Sequence, residues 1–254
     1  MLGISLRAPF FLYAGTLLLA IVVAATMLPT GPESVAPVPE VAMGVGEEDG
    51  VPTGVVPEPP RTSLATAFAS PAYRAALAGN FAVGFSVLGV RSTVVPLLVV
   101  QGLQLSPGWI GAAFALAALV QAVLLLPAGR AVDEVGRRPT LIGGGLLTAA
   151  SLAALAFAEG PLTLMLAMAL FGAGGALLGV APAAIVGDVV EGRGGTAIAV
   201  WQMSSDLGSV LGPLAAGLLI DRASFTVALL FSAVVVAACA VLGFRVPRAP
   251  APAR

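Results

Sequence analysis

Residues 129–141 read Gly-Arg-Ala-Val-Asp-Glu-Val-Gly-Arg-Arg-Pro-Thr-Leu, which places five charges and two glycines inside an otherwise apolar region. The runs on either side, Trp109–Ala128 and Leu141–Ala158, are each long enough to cross a bilayer. A short charged turn between two membrane spans has to lie at a membrane surface. The three arginines in this turn indicate the cytoplasmic surface, because arginine and lysine accumulate in cytoplasmic loops.

The composition of the chain also predicts a membrane protein. Of its 254 residues 58% are hydrophobic and 10% are charged, whereas about a quarter of a soluble domain is charged. Histidine is absent, which excludes His-based metal sites, His general bases and imidazole proton relays. The single cysteine, Cys239, cannot form an intramolecular disulfide and is interpreted as a packing residue. We therefore expect no catalytic residues, metal site or cofactor, and no nucleic-acid partner.

The N-terminal part of the chain predicts one span followed by a linker. Phe10–Leu28 is long enough to be the first transmembrane span, and a signal peptide is the alternative. Residues 29–74 are rich in proline and glutamate, with too little apolar surface to offset the entropy of ordering, so a disordered cytoplasmic linker is predicted. Within it, Thr62–Phe68 is a candidate interfacial helix.

Six further apolar runs follow the linker and predict an all-α integral membrane protein with seven transmembrane helices. They are Ala75–Gln101, Trp109–Ala128, Leu141–Ala158, Leu162–Gly187, Thr196–Ile220 and Phe225–Phe244. Residues 75–244 then form a six-helix unit, and residues 245–254 form a cytoplasmic tail. An odd number of spans places the termini on opposite sides. Most arginines fall in cytoplasmic segments when the N-terminus is extracytoplasmic and the C-terminus is cytoplasmic, and this orientation in the plasma membrane is the one we expect.

The charged turn resembles the signature loop of the major facilitator superfamily, G-x-[LA]-x-D-[RK]-x-G-R-[RK]. The matching residues are Gly129, Asp133, Gly136, Arg137 and Arg138. Glu134 departs from the pattern, since a basic residue is usual there. The resemblance extends over essentially the whole chain. It implies a secondary transporter of small molecules, whose twelve helices form two six-helix halves joined by a long cytoplasmic loop.

Two features favour the C-terminal half of such a transporter. The acidic, proline-rich linker, preceded by one span, is similar to the central loop preceded by the sixth helix. The fourth helix of the first half commonly carries R-x-x-Q-G, whereas the comparable place here, Met168–Gly172, lacks the Arg and the Gln. The resemblance thus implies helices six to twelve, with the first five missing because the chain is a fragment or its start was assigned late. A complementary N-terminal half is the implied partner.

Asp206 is the most informative single residue, because it lies about 15 Å along the helix predicted from Thr196 to Ile220. An acid at mid-membrane costs ~2.5–3.5 kcal/mol on insertion scales, so it should face a cavity or a partner. Polar residues and a proline share its face: Gln202, Ser209 and Pro213. Gly208 and Gly212 point to nearly the other side, which indicates a packing ridge. Proton or substrate coordination and a structural polar contact both remain open.

The same helix resembles the antiporter motif G-x-x-x-G-P-x-x-G-G through Gly208, Gly212, Pro213 and Gly217, with Ala216 in place of one glycine. In the family this motif belongs to the fifth helix, whereas the helix here would be the eleventh, its pseudo-symmetry mate. The motif therefore points only towards the drug:proton antiporter branch. A kinked, closely packed helix is the alternative interpretation.

Three further polar residues fall within predicted spans. Arg91 could bind an anionic group, pair with Asp206 or extend towards the outer surface. Asn80 lies three helical turns earlier on the same face, and Pro96 is expected to kink the helix beyond Arg91. Gln121, in mid-span, is a further candidate for the same pathway.

The signature loop is interpreted as a latch in which Asp133, Arg137 and Arg138 pair with acids of a neighbouring helix or with lipid phosphate. Asp188 and Glu191 are possible partners. We therefore expect a truncated, proton-coupled efflux transporter. The alternatives are a non-transporting remnant or a half-transporter subunit that needs a partner half. A seven-span receptor matches the span count, but the signature loop argues against it.

Overall fold

The computed structural model describes residues 63–190 and 194–246, and within these ranges the regular structure is entirely helical. The predicted span Phe10–Leu28, the linker up to residue 62, and the tail from residue 247 lie outside the described residues. The helices are α1 (Leu64–Ala69), α2 (Pro71–Gly102), α3 (Gly108–Glu134), α4 (Arg137–Ala156), α5 (Pro161–Val189), α6 (Gly195–Arg222) and α7 (Phe225–Arg245).

Helices α2 to α7 are each long and apolar enough to cross a membrane. The six-span part of the sequence prediction is thereby confirmed, and the chain is an all-α multi-pass membrane protein. The short helix α1 begins after Ser63, whose hydroxyl accepts a hydrogen bond from the Thr66 backbone.

The stretch 129–141 was predicted as a turn, but the turn in the structure is shorter than predicted. Gly129–Glu134 complete α3, Arg137–Leu141 begin α4, and only Val135 and Gly136 interrupt the helices. Hydropathy marks the part of a helix that lies in hydrocarbon. A membrane helix can continue beyond it because charged side chains at its end are solvated at the interface.

Helix α2 changes its hydrogen-bonding pattern along its length. It is α-helical over Pro71–Val83, π-helical over Gly84–Val90, α-helical again over Arg91–Leu97 and π-helical over Leu98–Gly102. Pro96 lies inside the second α-helical part, and the helix continues through it. Such π-helical turns are rare and frequently occur at functional sites. The longer π turn ends immediately before Arg91.

Helix α5 is the centre of the bundle, with α2, α3 and α4 packed against it, while α7 covers α4 and α6 packs against α2. Small residues allow these close approaches. A Cβ atom on Gly144 would lie 2.6 Å from the Leu178 backbone nitrogen, and one on Gly174 would lie 2.6 Å from the Thr148 nitrogen. Since backbone atoms cannot yield as a flexible side chain can, glycine is required at both contacts of α4 with α5.

The six spans differ in how much of their surface the bundle covers. In the most apolar stretches of α3 and α6, only 11% and 22% of the residues are buried, against 39% to 56% in the other four spans. Helices α3 and α6 therefore lie at the periphery of the described bundle and expose most of their length.

Candidate transport surface and signature turn

Helix α6 has one face packed against α2. Ser205, Gly208, Gly212 and Ala216 are buried on this face. A Cβ atom on Gly208 would lie 2.6 Å from the Phe85 backbone nitrogen, and one on Gly212 would lie 2.6 Å from the Phe85 carbonyl oxygen. The two helices are thus in backbone contact along the glycine ridge, which is the close packing that small residues permit in a membrane.

Two hydrogen bonds extend this contact towards the start of both helices. The Tyr73 hydroxyl donates to the Ala197 carbonyl at 2.6 Å, and the Asn80 amide donates to the Trp201 carbonyl at 2.7 Å. The partner positions advance together along α2 and α6, so the two helices run in the same direction. Asn80, only 7% exposed, is committed to this contact. This contact positions α2 against α6, and the pathway role expected for Asn80 from the sequence stays a prediction.

The neighbouring face of α6 carries the polar residues of the span. Gln202 and Asp206 are exposed, and Ser209 and Pro213 are half-buried. Among the described residues, the Asp206 carboxylate has no salt bridge and no hydrogen-bond partner. The Ser209 hydroxyl instead donates to the Asp206 backbone carbonyl at 2.7 Å. The acid is therefore available to a group outside the described bundle.

Glycines on the exposed sides of α3 and α6 meet open space. A Cβ atom on Gly111, Gly129 or Gly217 would have no neighbour within 4 Å. Gly217 lies within about 20° of Asp206 on a helical projection, because eleven residues make close to three turns. Of the antiporter-like set, the structure thus packs Gly208 and Gly212, places the Pro213 ring against Gly89, and leaves Gly217 uncovered.

The Arg91 guanidinium lies close to two aromatic rings. Its guanidinium carbon is 5.3 Å from the centroid of Phe114 on α3 and 5.4 Å from that of Phe171 on α5. The Arg91 Nε atom is buried and has no hydrogen-bond partner among the described residues, and Arg91 forms no ion pair with Asp206 there. The rings hold the planar cation in place while leaving its donors unsatisfied.

Gln121 belongs to the contact between α3 and α5. A Cβ atom on Gly175 would lie 3.6 Å from the Gln121 Oε1 atom, so the side chain rests against the glycine of α5. The structure brings Arg91, Phe114 and Gln121 to the part of the bundle where α3 packs on α5. It does not bring this group into contact with Asp206.

The signature turn depends on one glycine conformation. Gly136 has a φ of 109° and precedes the first residue of α4. A side chain at such a positive φ would be strained, so only glycine suits this position. The Thr140 hydroxyl donates to the Gly136 carbonyl at 2.9 Å, which closes the turn onto α4.

Arg137 ties the signature turn to the end of α5. Its Nε atom lies 2.8 Å from Asp188 Oδ2, and its Nη1 atom lies 3.3 Å from Asp133 Oδ1. Nη1 also donates to the Val132 carbonyl at 3.1 Å. The expected partner Asp188 is thus in contact with the turn, whereas Glu191 lies outside the described residues. All these groups are partly exposed, so the ion pairs add little stability in water.

Arg138 is oriented differently from its neighbour. Its guanidinium carbon lies 5.1 Å above the ring of Phe244 near the end of α7, and no acidic partner is present for it among residues 63–190 and 194–246. The two adjacent arginines of the signature therefore have separate surroundings, one paired with two carboxylates and one stacked on an aromatic ring.

Sequence reasoning missed the aromatic residues that flank the two arginines, namely Phe114, Phe171 and Phe244. Nothing in the sequence distinguishes them, because phenylalanine is common in any apolar run. Only the packing of α2, α3 and α5 brings two rings close to one guanidinium.

Comparison with known proteins gives a family match and three related proteins. A family model described as Major Facilitator Superfamily matches residues 77–254. Multidrug resistance protein MdtH of Aeromonas hydrophila subsp. hydrophila is 35% identical over 122 residues, which cover 48% of this chain and 31% of that protein. The proteins of the same name from Aeromonas salmonicida and Cronobacter sakazakii are 37% identical over 108 residues and 34% identical over 126 residues. These alignments cover 42% and 48% of this chain and 27% and 31% of the relatives, so the chain matches about a third of their length.

Proposed function

Because this chain belongs to the Major Facilitator Superfamily, we propose that it forms one six-helix half of a secondary transporter that exports a small molecule by alternating access. The resemblance of the linker to the family's central loop and the absence of R-x-x-Q-G at Met168–Gly172 favour the C-terminal half. The name of the three relatives, multidrug resistance protein, favours export of small molecules as the direction and cargo.

One observation carries the proposal: the exposed, unpaired Asp206 in the middle of α6. A carboxylate at this depth is costly in lipid, so its natural surroundings are a water-filled pathway or a second protein surface. Gln202 is exposed on the same face as Asp206. The neighbouring face of α6 is packed against α2 through Gly208 and Gly212. We assign proton or substrate coordination to Asp206, with Gln202 beside it.

Arg91 and Gln121 form the second element of the proposed pathway. The Arg91 Nε atom has no hydrogen-bond partner among the described residues, and a guanidinium donor of this kind suits an anionic or carbonyl-bearing group. Because Arg91 and Asp206 do not pair, they are proposed as separate sites, one for an electronegative group and one for a proton or a cation.

The exposure of α3 and α6 supports a complementary half as the partner. Both helices leave glycines uncovered, and α6 leaves an acid uncovered as well. Small residues let membrane helices approach closely, and a polar residue in the same face disfavours a purely lipid environment. The competing hypothesis, a non-transporting remnant, predicts the same exposure but no activity with any partner half.

For the orientation, we propose that the signature turn is cytoplasmic, since Arg130, Arg137 and Arg138 lie at this surface. In that setting the contact of Arg137 with Asp188 and Asp133 acts as a latch between α3, α4 and α5. It would open as the half rocks against its partner, and each member alone is worth little energy, which suits a contact that must break repeatedly.

The test is an efflux assay in proteoliposomes with an imposed pH gradient. The full chain is reconstituted alone and together with the first five helices of the Aeromonas hydrophila relative, and export of a fluorescent lipophilic drug is followed. We expect pH-driven export with both halves present and its loss in Asp206→Asn. No export in either preparation, with both proteins folded and inserted, would contradict transport and favour the remnant hypothesis.

A further inference from the structure

A cleft of about 520 Å³ opens beside the signature turn, between the start of α4 and the end of α7. Its lining combines two arginines with apolar groups, including Val135, Ile142 and Phe244. This cleft is at the end of the bundle and is separate from the Asp206 face and from Arg91. The cleft shares Arg137 and Arg138 with the signature turn, but the ion pairs of the turn are made by Arg137 alone, and the proposed transport pathway does not use the cleft.

The two arginines in the lining are not equivalent. Arg137 is engaged by Asp188 and Asp133, so its charge is largely compensated within the chain. Arg138 has no acidic partner among the described residues and rests on the Phe244 ring. The nearby acids Asp133 and Glu134 do not line the cleft. The cleft therefore presents one uncompensated planar cation at its polar end.

The rest of the cleft is apolar and open. Ile142 and Phe244 form its wall, and a Cβ atom on Gly143 would have no neighbour within 4 Å, so this glycine leaves a gap in the surface of α4. Phe244 is 55% exposed, although it lies at the end of a membrane-spanning helix. Its exposed ring therefore offers an apolar surface beside Arg138 at the end of the span.

We propose that this cleft binds an anionic phospholipid, with the headgroup phosphate on Arg138 and the upper part of an acyl chain over Phe244, Ile142 and the gap at Gly143. The guanidinium offers the paired N–H donors that match phosphate oxygens, and none of these donors is paired with an acid among the described residues. A soluble anion would use the arginine but not the apolar wall. A zwitterionic lipid would use the wall but would be attracted less by the cation.

The proposal is tested by native mass spectrometry of the full chain in detergent. Three ligands are titrated: phosphatidylglycerol, phosphatidylcholine with the same acyl chains, and glycerol phosphate as the soluble anion. Since one arginine near a membrane surface contributes about fivefold in affinity for anionic lipid, we expect the first phosphatidylglycerol to bind about fivefold more tightly than phosphatidylcholine.

Two variants change the cleft in different ways. Arg138→Gln removes the cation and should reduce phosphatidylglycerol binding to the phosphatidylcholine level. Gly143→Leu keeps every charge and fills the gap, and it should weaken the binding of both lipids, with a thermal midpoint at or above that of the parent because leucine favours a helix more than glycine does. Arg130→Gln is the matched control, since Arg130 is exposed near the same turn but does not line the cleft.

Retained binding in Arg130→Gln together with reduced binding in both cleft variants supports the site. Equal losses in Arg130→Gln and Arg138→Gln would overturn it in favour of general surface charge. Equal affinity for the two lipids, or displacement of phosphatidylglycerol by glycerol phosphate at matched concentration, would overturn it as well. Thermal midpoints measured for all variants distinguish lost binding from lost folding.

Discussion

The two faces of α6 meet opposite surroundings although they belong to one helix. The face with Gly208 and Gly212 is in backbone contact with α2, whereas Gln202 and Asp206 are exposed on the neighbouring face. The packed face is explained completely within this chain. The open face carries the exposed acid Asp206. We explain it by a water-filled pathway or a partner half outside the described bundle. The comparison therefore separates residues that build the half from residues that we assign to its function.

The largest effect is expected on the packed face. Gly208→Leu would drive a side chain into the Phe85 backbone nitrogen, 2.6 Å from the new Cβ atom, and neither backbone can move without breaking the contact of α2 with α6. Overpacking typically costs about 1–3 kcal/mol, and contact with backbone places this variant at the upper end or above. Thermal unfolding in detergent should show a strongly lowered midpoint.

Gly217→Leu is the matched control for that variant, because it makes the same substitution on the open face. A Cβ atom on Gly217 meets no neighbour within 4 Å, so the midpoint of the isolated chain should be unchanged or slightly raised. Equal destabilisation by Gly208→Leu and Gly217→Leu would contradict the difference between the packed and open faces. If Gly217→Leu kept its stability but impaired efflux in the presence of the complementary half, the open face would be assigned to the contact between the halves.

Asp206→Asn should abolish pH-driven efflux without destabilising the chain. The carboxylate makes no contact within the described bundle, and replacing an acid at mid-membrane lowers the insertion cost of ~2.5–3.5 kcal/mol. Efflux rate and thermal midpoint are measured on the same preparation. A variant that unfolds while the parent does not would show that Asp206 is a structural contact. Asp221→Asn at the exposed end of α6 serves as control.

Two substitutions of Arg91 should have different effects on efflux, because one removes the charge and the other keeps it. Arg91→Leu removes the donors proposed for an electronegative group, and a lost hydrogen bond to a charged group costs about 1.5–3 kcal/mol, which is roughly tenfold or more in the apparent KM of efflux. Arg91→Lys keeps the charge and should retain part of the affinity. If both variants instead lower the thermal midpoint and leave KM unchanged, the two rings and the cation form a structural contact only.

The smallest effect is expected at the latch. Asp188→Asn removes the stronger of the two carboxylate partners of Arg137, at a partly exposed site where an ion pair contributes about 0.2–1 kcal/mol. The shift in thermal midpoint should shrink as salt is added, because exposed pairs are screened. A large, salt-independent shift would mean that Asp188 holds the fold rather than a reversible contact.

Prediction from the sequence succeeded where the signal is local and regular. Apolar runs identify the six described spans, because hydrocarbon thickness sets their length. The motif identifies the turn at Gly136, because a positive φ demands glycine there. The ends of the helices were missed, since hydropathy does not register the solvated parts of α3 and α4.

Interactions between distant residues could not be read from the sequence. The Arg91 side chain meets rings 23 and 80 positions away, and Arg138 meets a ring 106 positions away, as their residue numbers show. Asn80 looked like a pathway residue because it is polar in mid-span, yet its amide is bound to the Trp201 carbonyl. A polar residue in a span is expected to have a polar partner, but only the packing of the helices determines which group that partner is. The functional roles of Asp206, Arg91, Gln202 and Gln121 stay predictions.

The central claim, that the Asp206 face meets water or protein rather than lipid, is tested most directly by cysteine accessibility. The chain has one cysteine, Cys239, so a Cys239→Ser background allows single cysteines to be read without interference. We compare Asp206→Cys with Ser205→Cys on the packed face and with Val234→Cys on the exposed apolar side of α7, using a membrane-impermeant thiol reagent on inserted protein. We predict that Asp206→Cys reacts when the complementary half is present and completes a water-filled pathway, while the other two do not react. If Asp206→Cys were as unreactive as Val234→Cys with the complementary half present, the face would lie in lipid and the account would be contradicted.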